Sequence, residues 1–418
     1  MAISTQPYKG ARDFYPEDMR VQQYMFDIWR EVCERFGYEE YNAPVLEPLE
    51  LFTAKTSEEI VNEQTYSFTD RGGRQVVMRP EMTPSVSRMV AARRQELGYP
   101  VRLYSIPNCF RYERPQRGRL REFWQLNADL FGVESMEADL EAITLSDAIM
   151  KAFGATEDMY EIRLSSRQYI NDAFDRLELD EAQRKTCMAL IDKKEKIDAR
   201  DWEKLFVEVL EEQKAGELLK FLNDESVPAE TEELLGKLRK RGVGNVKFNK
   251  FVARGFEYYT DVVFEIFDTN PENNRSMFGG GRYDGLVGQF GVEPVATVGF
   301  GMGDITLQNF LASNNLLPEL APATDICAIL IGDVADEALA VIGQLREGGL
   351  NVSVDFGGRK ADKQIKTAVK RGAPYVLFIG EAELASGQFT LKNLESGQEE
   401  KCGVEEIARV IENSTLIC

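Results

Sequence analysis

The stretch FRYERPQRGRLREFWQLNADLFG, Phe110–Gly132, places Arg111, Arg114, Arg117, Arg119 and Arg121 within eleven residues, opposed there only by Glu113. The β-rich run VRLYSIPNCFR (101–111) leads into it and the half-alternating FWQLNADLFG (123–132) leads out. This pattern predicts two strands joined by an arginine-rich hairpin. Gly118 predicts a tip that can move over a ligand. Guanidinium groups are planar and permanently charged, and they grip phosphate oxygens two at a time. The loop therefore points to an anionic ligand, in a chain whose 50 basic and 70 acidic side chains give a formal charge of −20.

Outward from the loop, Met1 to about Arg167 mixes helix and strand signals. DMRVQQYMFDIWREVCERFG carries Val21, Met25, Ile28, Trp29 and Val32 at helical spacing, with Gly37 as a C-terminal cap. YSFTDRGGRQVVM reads as a hairpin of Tyr66–Phe68 and Val76–Met78 about a glycine turn. From about 168 to 244 the composition shifts to Glu, Lys, Leu and Asp, which predicts a helical insertion. Strand signals return after Val246. ASNNLLPELAPAT (312–324) reads as a linker. Beyond it, strand and helix signals alternate, predicting an α/β domain with a largely parallel sheet. The expected domains are 1–322, including the insertion, and 325–418.

Composition narrows the chemistry. At 418 residues the chain is long enough for two or three domains, and its 43% apolar and 29% charged fractions are those of a globular protein. No apolar run approaches the roughly 18 residues of a membrane helix. The polar N-terminus lacks a signal-peptide core, so no membrane association and a cytoplasmic address are expected. Six cysteines stand singly and there is no histidine. No metal site built from cysteine or histidine is expected, and neither is a Ser-His-Asp or Cys-His arrangement. The glycine-rich MFGGGRYDGLVGQF and GFGMGD lack the ending of a phosphate-binding P-loop and the spacing of a dinucleotide fingerprint. Glycine in a strand admits a close ligand, which suits a nucleotide lying on an antiparallel sheet.

The arginine stretch resembles the second signature motif of class II aminoacyl-tRNA synthetases, in the form used by the histidyl-tRNA synthetase family. KGARDFYPEDM resembles that family's opening segment, MRPEMT its L-R-P-E-x-T element, and ARGFEYYTDVVFE its R-G-x-D-Y-Y-x-x-T-V-F-E element. KADKQIKTAVKRGAPYVLFIGEAELASGQFTLKNL is similar to its anticodon-binding domain. The resemblance implies an α+β catalytic domain, with an antiparallel sheet flanked by helices, followed by a C-terminal α/β anticodon-binding domain. It implies ligation of L-histidine to tRNA(His) through histidyl-adenylate, with ATP and Mg²⁺, in a homodimer to which the Pro44 region contributes. Arg111 would hold the α-phosphate and the substrate carboxylate, with Arg254 reaching the α-phosphate from the other side. Glu113 would lie near the adenine and Arg119 near the outer phosphates. Glu81, Thr83 and Gln125 would grip the ammonium group. Asp129 and Tyr259 would bond the ring, with Tyr258 and Tyr283 lining the pocket. For the RNA, the resemblance points to Gln116 and Arg117 at the acceptor end. Lys366 and Lys370, at helical spacing with Lys363, form a basic face in the C-terminal block.

The resemblance has gaps. GFGMGDITL places Thr306 where the family's third motif has an arginine that packs against ATP. Glu257 replaces the usual Asp, and Asp129 occupies a position that is often Glu. Loss of the arginine leaves an alternative: a catalytically silent, histidine-binding regulatory subunit of ATP phosphoribosyltransferase.

Overall fold

A computed structural model describes residues 3–53, 64–194, 197–252, 258–273 and 275–415. The chain divides into two compact units: 1–13 with 22–317, and 14–21 with 318–418. Arg254 and Glu257 lie outside the described residues.

In the first unit the strands are β1 Glu39–Glu40, β2 Leu46–Pro48, β3 Tyr66–Thr69, β4 Gln75–Met78, β5 Val101–Ser105, β6 Asn108–Phe110, β7 Glu122–Phe131, β8 Tyr160–Ser166, β9 Val246–Phe248, β10 Val262–Asp268, β11 Ser276–Arg282 and β12 Thr297–Gly303. A nine-stranded sheet runs β1-β5-β7-β12-β11-β10-β8-β9, with β6 paired to the start of β7. From β5 to β8 every pairing is antiparallel, while β1 on β5 and β9 on β8 are parallel. The sheet is therefore mixed at its edges, because β5 after β1, and β9 after β8, each follow a long connection instead of a hairpin turn. A separate three-stranded sheet orders β2-β4-β3. Its hairpin turns where the Asp70 carboxylate accepts the amides of Gly72 and Arg74, with Gly73 at φ +80°.

Alternation along β7 sets the two faces of the large sheet. Leu126, Ala128 and Leu130 enter the main core with Trp29, Ile143, Phe264, Phe300 and Phe310. Trp29 is fully buried and donates its indole N–H to Met302 Sδ at 3.1 Å. Burying such a side chain contributes roughly 1.5–3 kcal/mol. Gln125, Asn127 and Asp129 point the other way.

Five helices follow one another between β8 and β9 from Arg167 to Lys240 among the described residues. Four of them, through Asn223, share an apolar core of their own around Phe174, Trp202, Phe206 and Leu218. The fifth, Ala229–Lys240, packs Leu234, Leu235 and Leu238 onto the sheet core. The helix Asp304–Ser313 runs into the first residues of the stretch read as a linker. Asn314 caps it by donating its side-chain amide to Phe310 O at 2.9 Å.

The second unit holds β13 Ile326–Ile331, β14 Val352–Val354, β15 Tyr375–Gly380, β16 Phe389–Asn393 and β17 Glu399–Cys402, in the order β14-β13-β15-β16-β17. The first three are parallel and the last two antiparallel. Ile326 and Ala328 pack with Ile342 and Ile407 on one face, and Cys327 and Ile329 with Ala368 on the other. A sheet covered on both faces explains the unbroken apolar run of β13. In the helix Ala361–Lys370, Gln364 and Ala368 are buried and Lys363, Lys366 and Lys370 are exposed.

Candidate active site

On the open face of the large sheet, Glu81, Thr83, Arg111, Gln125, Asn127, Asp129, Tyr258, Tyr259, Tyr283, Gly299, Phe300 and Gly301 line one cleft. The cleft opens to solvent, and its empty space, open solvent included, is about 340 Å³. Three elements build its floor and walls. β7 supplies a polar stripe at every second residue. On β12, Gly299 pairs with Asp129 and Gly301 with Asn127, so glycines lie opposite the polar residues. A Cβ on Gly299 would collide with the Asp129 carboxylate, and one on Gly301 would come within 2.7 Å of Gln125 Nε2. Glu81 and Thr83 sit at the start of the helix Thr83–Ala92, whose Val86 and Val90 pack beside Phe131 of β7.

The tyrosines form the third wall. Tyr258 and Tyr259 have ring centroids 4.8 Å apart, and Tyr283 lies 5.5 Å from Tyr258. They pack with Val252, Val263 and Leu286, which fixes their rings. Tyr258 donates its hydroxyl to Glu81 Oε2 at 3.2 Å, and Tyr283 donates to Asp129 Oδ1. The second oxygen of Asp129 is buried and has no hydrogen-bond partner among the described residues. Burial pushes the Asp129 carboxyl up to about 7; the nearby Glu81 charge adds to this, and the Tyr283 hydrogen bond opposes it. Burial and the Asp129 charge push the Tyr283 hydroxyl well above its ordinary value.

Arg111 is the cationic member of the lining. Its Nε donates to Pro80 O at 2.9 Å, and its guanidinium lies 5.3 Å from the centre of the Phe123 ring. Two buried carboxylates beside an arginine suit a zwitterion: the acids face an ammonium and ring donors, and the guanidinium faces a carboxylate.

The structure thus gathers Glu81, Thr83, Arg111, Gln125, Asp129, Tyr258, Tyr259 and Tyr283 in one place. Glu113 and Arg119 are not in the lining. They form an ion pair at 3.3 Å within the hairpin, whose tip closes by backbone bonds between Gln116 and Arg119. Arg117 is exposed at that tip. Lys366 and Lys370 belong to the second unit. Asn127 and Phe300 escaped the sequence reading, whereas Gly299 and Gly301 lie in the GFGMGD run read there as glycines that admit a close ligand. The signal for the glycines was GFGMG itself, in which glycine at every second residue clears one face of a strand.

The glycine floor yields a first prediction. Gly299→Ala is expected to destabilise the first unit by roughly 1–3 kcal/mol, because its Cβ must displace the Asp129 carboxylate or the strand. Urea denaturation of the variant against the wild type measures it.

A family model described as histidyl-tRNA synthetase matches residues 10–303, and one described as anticodon binding domain matches residues 325–414. A histidine–tRNA ligase of Leptospira biflexa is 41% identical over 411 residues, covering 94% of each chain. One of Thermoplasma volcanium is 35% identical over 426 residues, covering 97% of this chain and 98% of the relative. The histidyl-tRNA synthetase structure from Nostoc sp. PCC 7120 matches the fold with a TM-score of 0.81 at 24% identity, covering 99% of this chain and 100% of that one. Matched along nearly its whole length, with the cleft lying inside the first matched segment, the chain belongs to the histidyl-tRNA synthetase family.

Proposed function

We propose that the chain activates L-histidine with ATP and transfers it to tRNA(His). The observation that carries this reading is one cleft holding two buried carboxylates, a tyrosine wall and Arg111. The amino-acid carboxylate attacks the α-phosphorus of ATP and pyrophosphate leaves, giving histidyl-adenylate. A ribose hydroxyl of the tRNA 3′ end then attacks the acyl carbon and AMP leaves. Two anions must meet in the first step, so the protein's work is positioning and charge neutralisation.

Arg111 holds the carboxylate and the α-phosphate together, assisted by Arg254, and Arg119 takes the outer phosphates with Glu113 near the adenine. Glu81, Thr83 and Gln125 receive the ammonium. Asp129 and Tyr259 bond the imidazole, with Tyr258 and Tyr283 fixing Glu81 and Asp129. Among the described residues no three acidic or cysteine side chains form a metal cluster. Mg²⁺, which keeps several waters, would bind largely through phosphate oxygens. When bound it neutralises phosphate charge.

The second unit reads the anticodon end. Lys366→Glu with Lys370→Glu is expected to lower charging of tRNA(His) by about tenfold, while histidine-dependent pyrophosphate exchange stays unchanged. Assaying both on one preparation checks it, and parallel loss of the two would remove the separation of roles. A homodimer is proposed around the Pro44 region, where Val45, Leu46 and Phe68 are exposed; sedimentation tests it. A cytoplasmic setting is proposed as well. No described helix is long and apolar enough to cross a membrane.

Pyrophosphate exchange with ATP and histidine tests the reading as a whole. Histidine binding without exchange would favour the regulatory-subunit alternative, for which the substitution at Thr306 speaks and the matched anticodon segment speaks against.

A further inference from the structure

We propose that Arg121 and Thr306 clamp the arginine hairpin at its base and its tip, and so act as positioning residues for the arginines that grip the nucleotide. The inference rests on the reading of this site as an ATP site, although neither residue lines the cleft.

At the base, Arg121 binds in several directions at once. Its backbone N–H donates to Gly10 O at 2.8 Å, and its carbonyl accepts the Arg111 amide at 2.9 Å. Its Nε donates to Glu113 O at 3.0 Å and its Nη1 to the Tyr8 hydroxyl at 3.0 Å. The guanidinium lies 3.9 Å from the centre of the Tyr112 ring and 5.6 Å from that of Tyr8. Tyr66 meets both rings edge-on, at 5.4 and 6.4 Å, and so braces the two rings that face the cation. Gly10, at φ +87°, is the residue against which the arginine stem passes. A Cβ there would stand 2.7 Å from Arg121 Cγ. Arg121 therefore ties Glu113 to the N-terminal segment through its side chain, and Arg111 to it through its main chain.

At the tip, Gly118 adopts φ +80°, and the position of its missing Cβ lies 3.4 Å from Thr306 Cγ2. The Thr306 hydroxyl donates to Met277 O at 2.8 Å and lies 3.2 Å from Gly303 O. Those bonds fix its rotamer, so the methyl group offers a defined seat. Between the two clamps, the Gln116–Arg119 backbone pair and the Arg119–Glu113 ion pair hold the hairpin closed.

The physical need for such clamping is plain. Arg111, Arg114, Arg117, Arg119 and Arg121 repel one another before an anion arrives, and a loose loop would lose conformational freedom on gripping a triphosphate. Fixing the loop in its gripping geometry cuts that cost. The small residue at 306 then has a role of its own: an arginine there would displace the tip that brings Arg119 into place.

The test uses the full-length protein with Arg121→Lys, which keeps the charge and loses the planar stacking, and Thr306→Arg. In pyrophosphate exchange each variant is expected to raise the KM for ATP about tenfold and leave the KM for histidine within about twofold. Without ATP, tryptic cleavage after Arg117 and Arg119, followed by mass spectrometry, should be about fivefold faster or more than in the wild type. A lowered ATP KM in Thr306→Arg, equal loss toward both substrates, or unchanged cleavage would overturn the clamp. If Arg121→Lys does not fold, Thr306→Arg decides alone. A wild type that shows no exchange would sink the proposed function, while the cleavage comparison would still judge the clamp.

Discussion

Arg111→Ala is expected to lower kcat/KM for histidine-dependent pyrophosphate exchange by about 10³, the upper range for removing one preorganised charge stabiliser. The geometry gives the reason. Arg111 begins the hairpin directly after β6, and its amide is bonded to Arg121 O. Its Nε is held by Pro80 O and its plane lies over Phe123. The guanidinium is thus held in place and, on the proposed reading, would need no reorganisation when charge develops on the α-phosphate. Arg111→Lys separates charge from shape. A lysine keeps the positive charge but has no equivalent of the Nε anchor and no planar fork, so a loss of about 10² is expected. Steady-state exchange kinetics with histidine titrations check both. Because Arg111 is half-buried at the cleft edge, the thermal midpoint should change little. An alanine variant that keeps its exchange rate would end the assignment of Arg111 to the phosphate.

What the sequence made legible follows from the range of the interactions. The helix at Pro16–Arg35 and the hairpin at Tyr66–Met78 are local patterns, and both form. The arginine hairpin is legible for the same reason, since its strands β6 and β7 are adjacent in the chain. The cleft is different. Tyr258 meets Glu81 across 177 residues and Tyr283 meets Asp129 across 154. No periodicity carries such a contact; those residues could be grouped beforehand only through family resemblance. The hairpin β16–β17 was missed because LKNLESGQEEK is polar, and only Gly397 at φ +73° marks its turn. The private core of the helices from Arg167 to Asn223 was also hidden, because amphipathic spacing says that a face is buried and not against what. The clamp on Arg121 is hidden for the same reason, since Gly10 and Tyr8 reach it from the other end of the unit.

Asp129→Asn is expected to make the protein more stable at pH 8 and to lower kcat/KM for histidine by about 10³, the cost of removing one partner from a buried charge pair. In the unfolded chain Asp129 ionises near its ordinary 3.8, but in the fold burial holds its proton up to about 7. Between those values the folded state binds more protons than the unfolded state. Wild-type stability therefore falls as pH rises through this window, and the penalty is complete above about pH 7. Its size is roughly 4 kcal/mol, from about 1.4 kcal/mol for each pH unit of the window. Asparagine carries no such charge, and its Oδ1 can still accept from Tyr283. The difference in thermal midpoint between variant and wild type should be near zero below pH 4, widen between pH 4 and 7, and stay constant above. Melting curves across pH 3.5–9 test this, and a difference independent of pH would refute the strained carboxylate. Function runs in the opposite direction. The unpartnered Asp129 oxygen is an acceptor; on the proposed reading it would face the ring donor, and the amide of the Asp129→Asn variant would present an N–H there instead. In the wild type, imidazole and carboxyl both titrate near 6.5–7, so below that window both hold protons and one must leave on binding. The KM for histidine should then rise as pH falls below about 6.5. A fold that keeps an unstable ionised carboxylate at pH 8 retains it for the ligand that completes it.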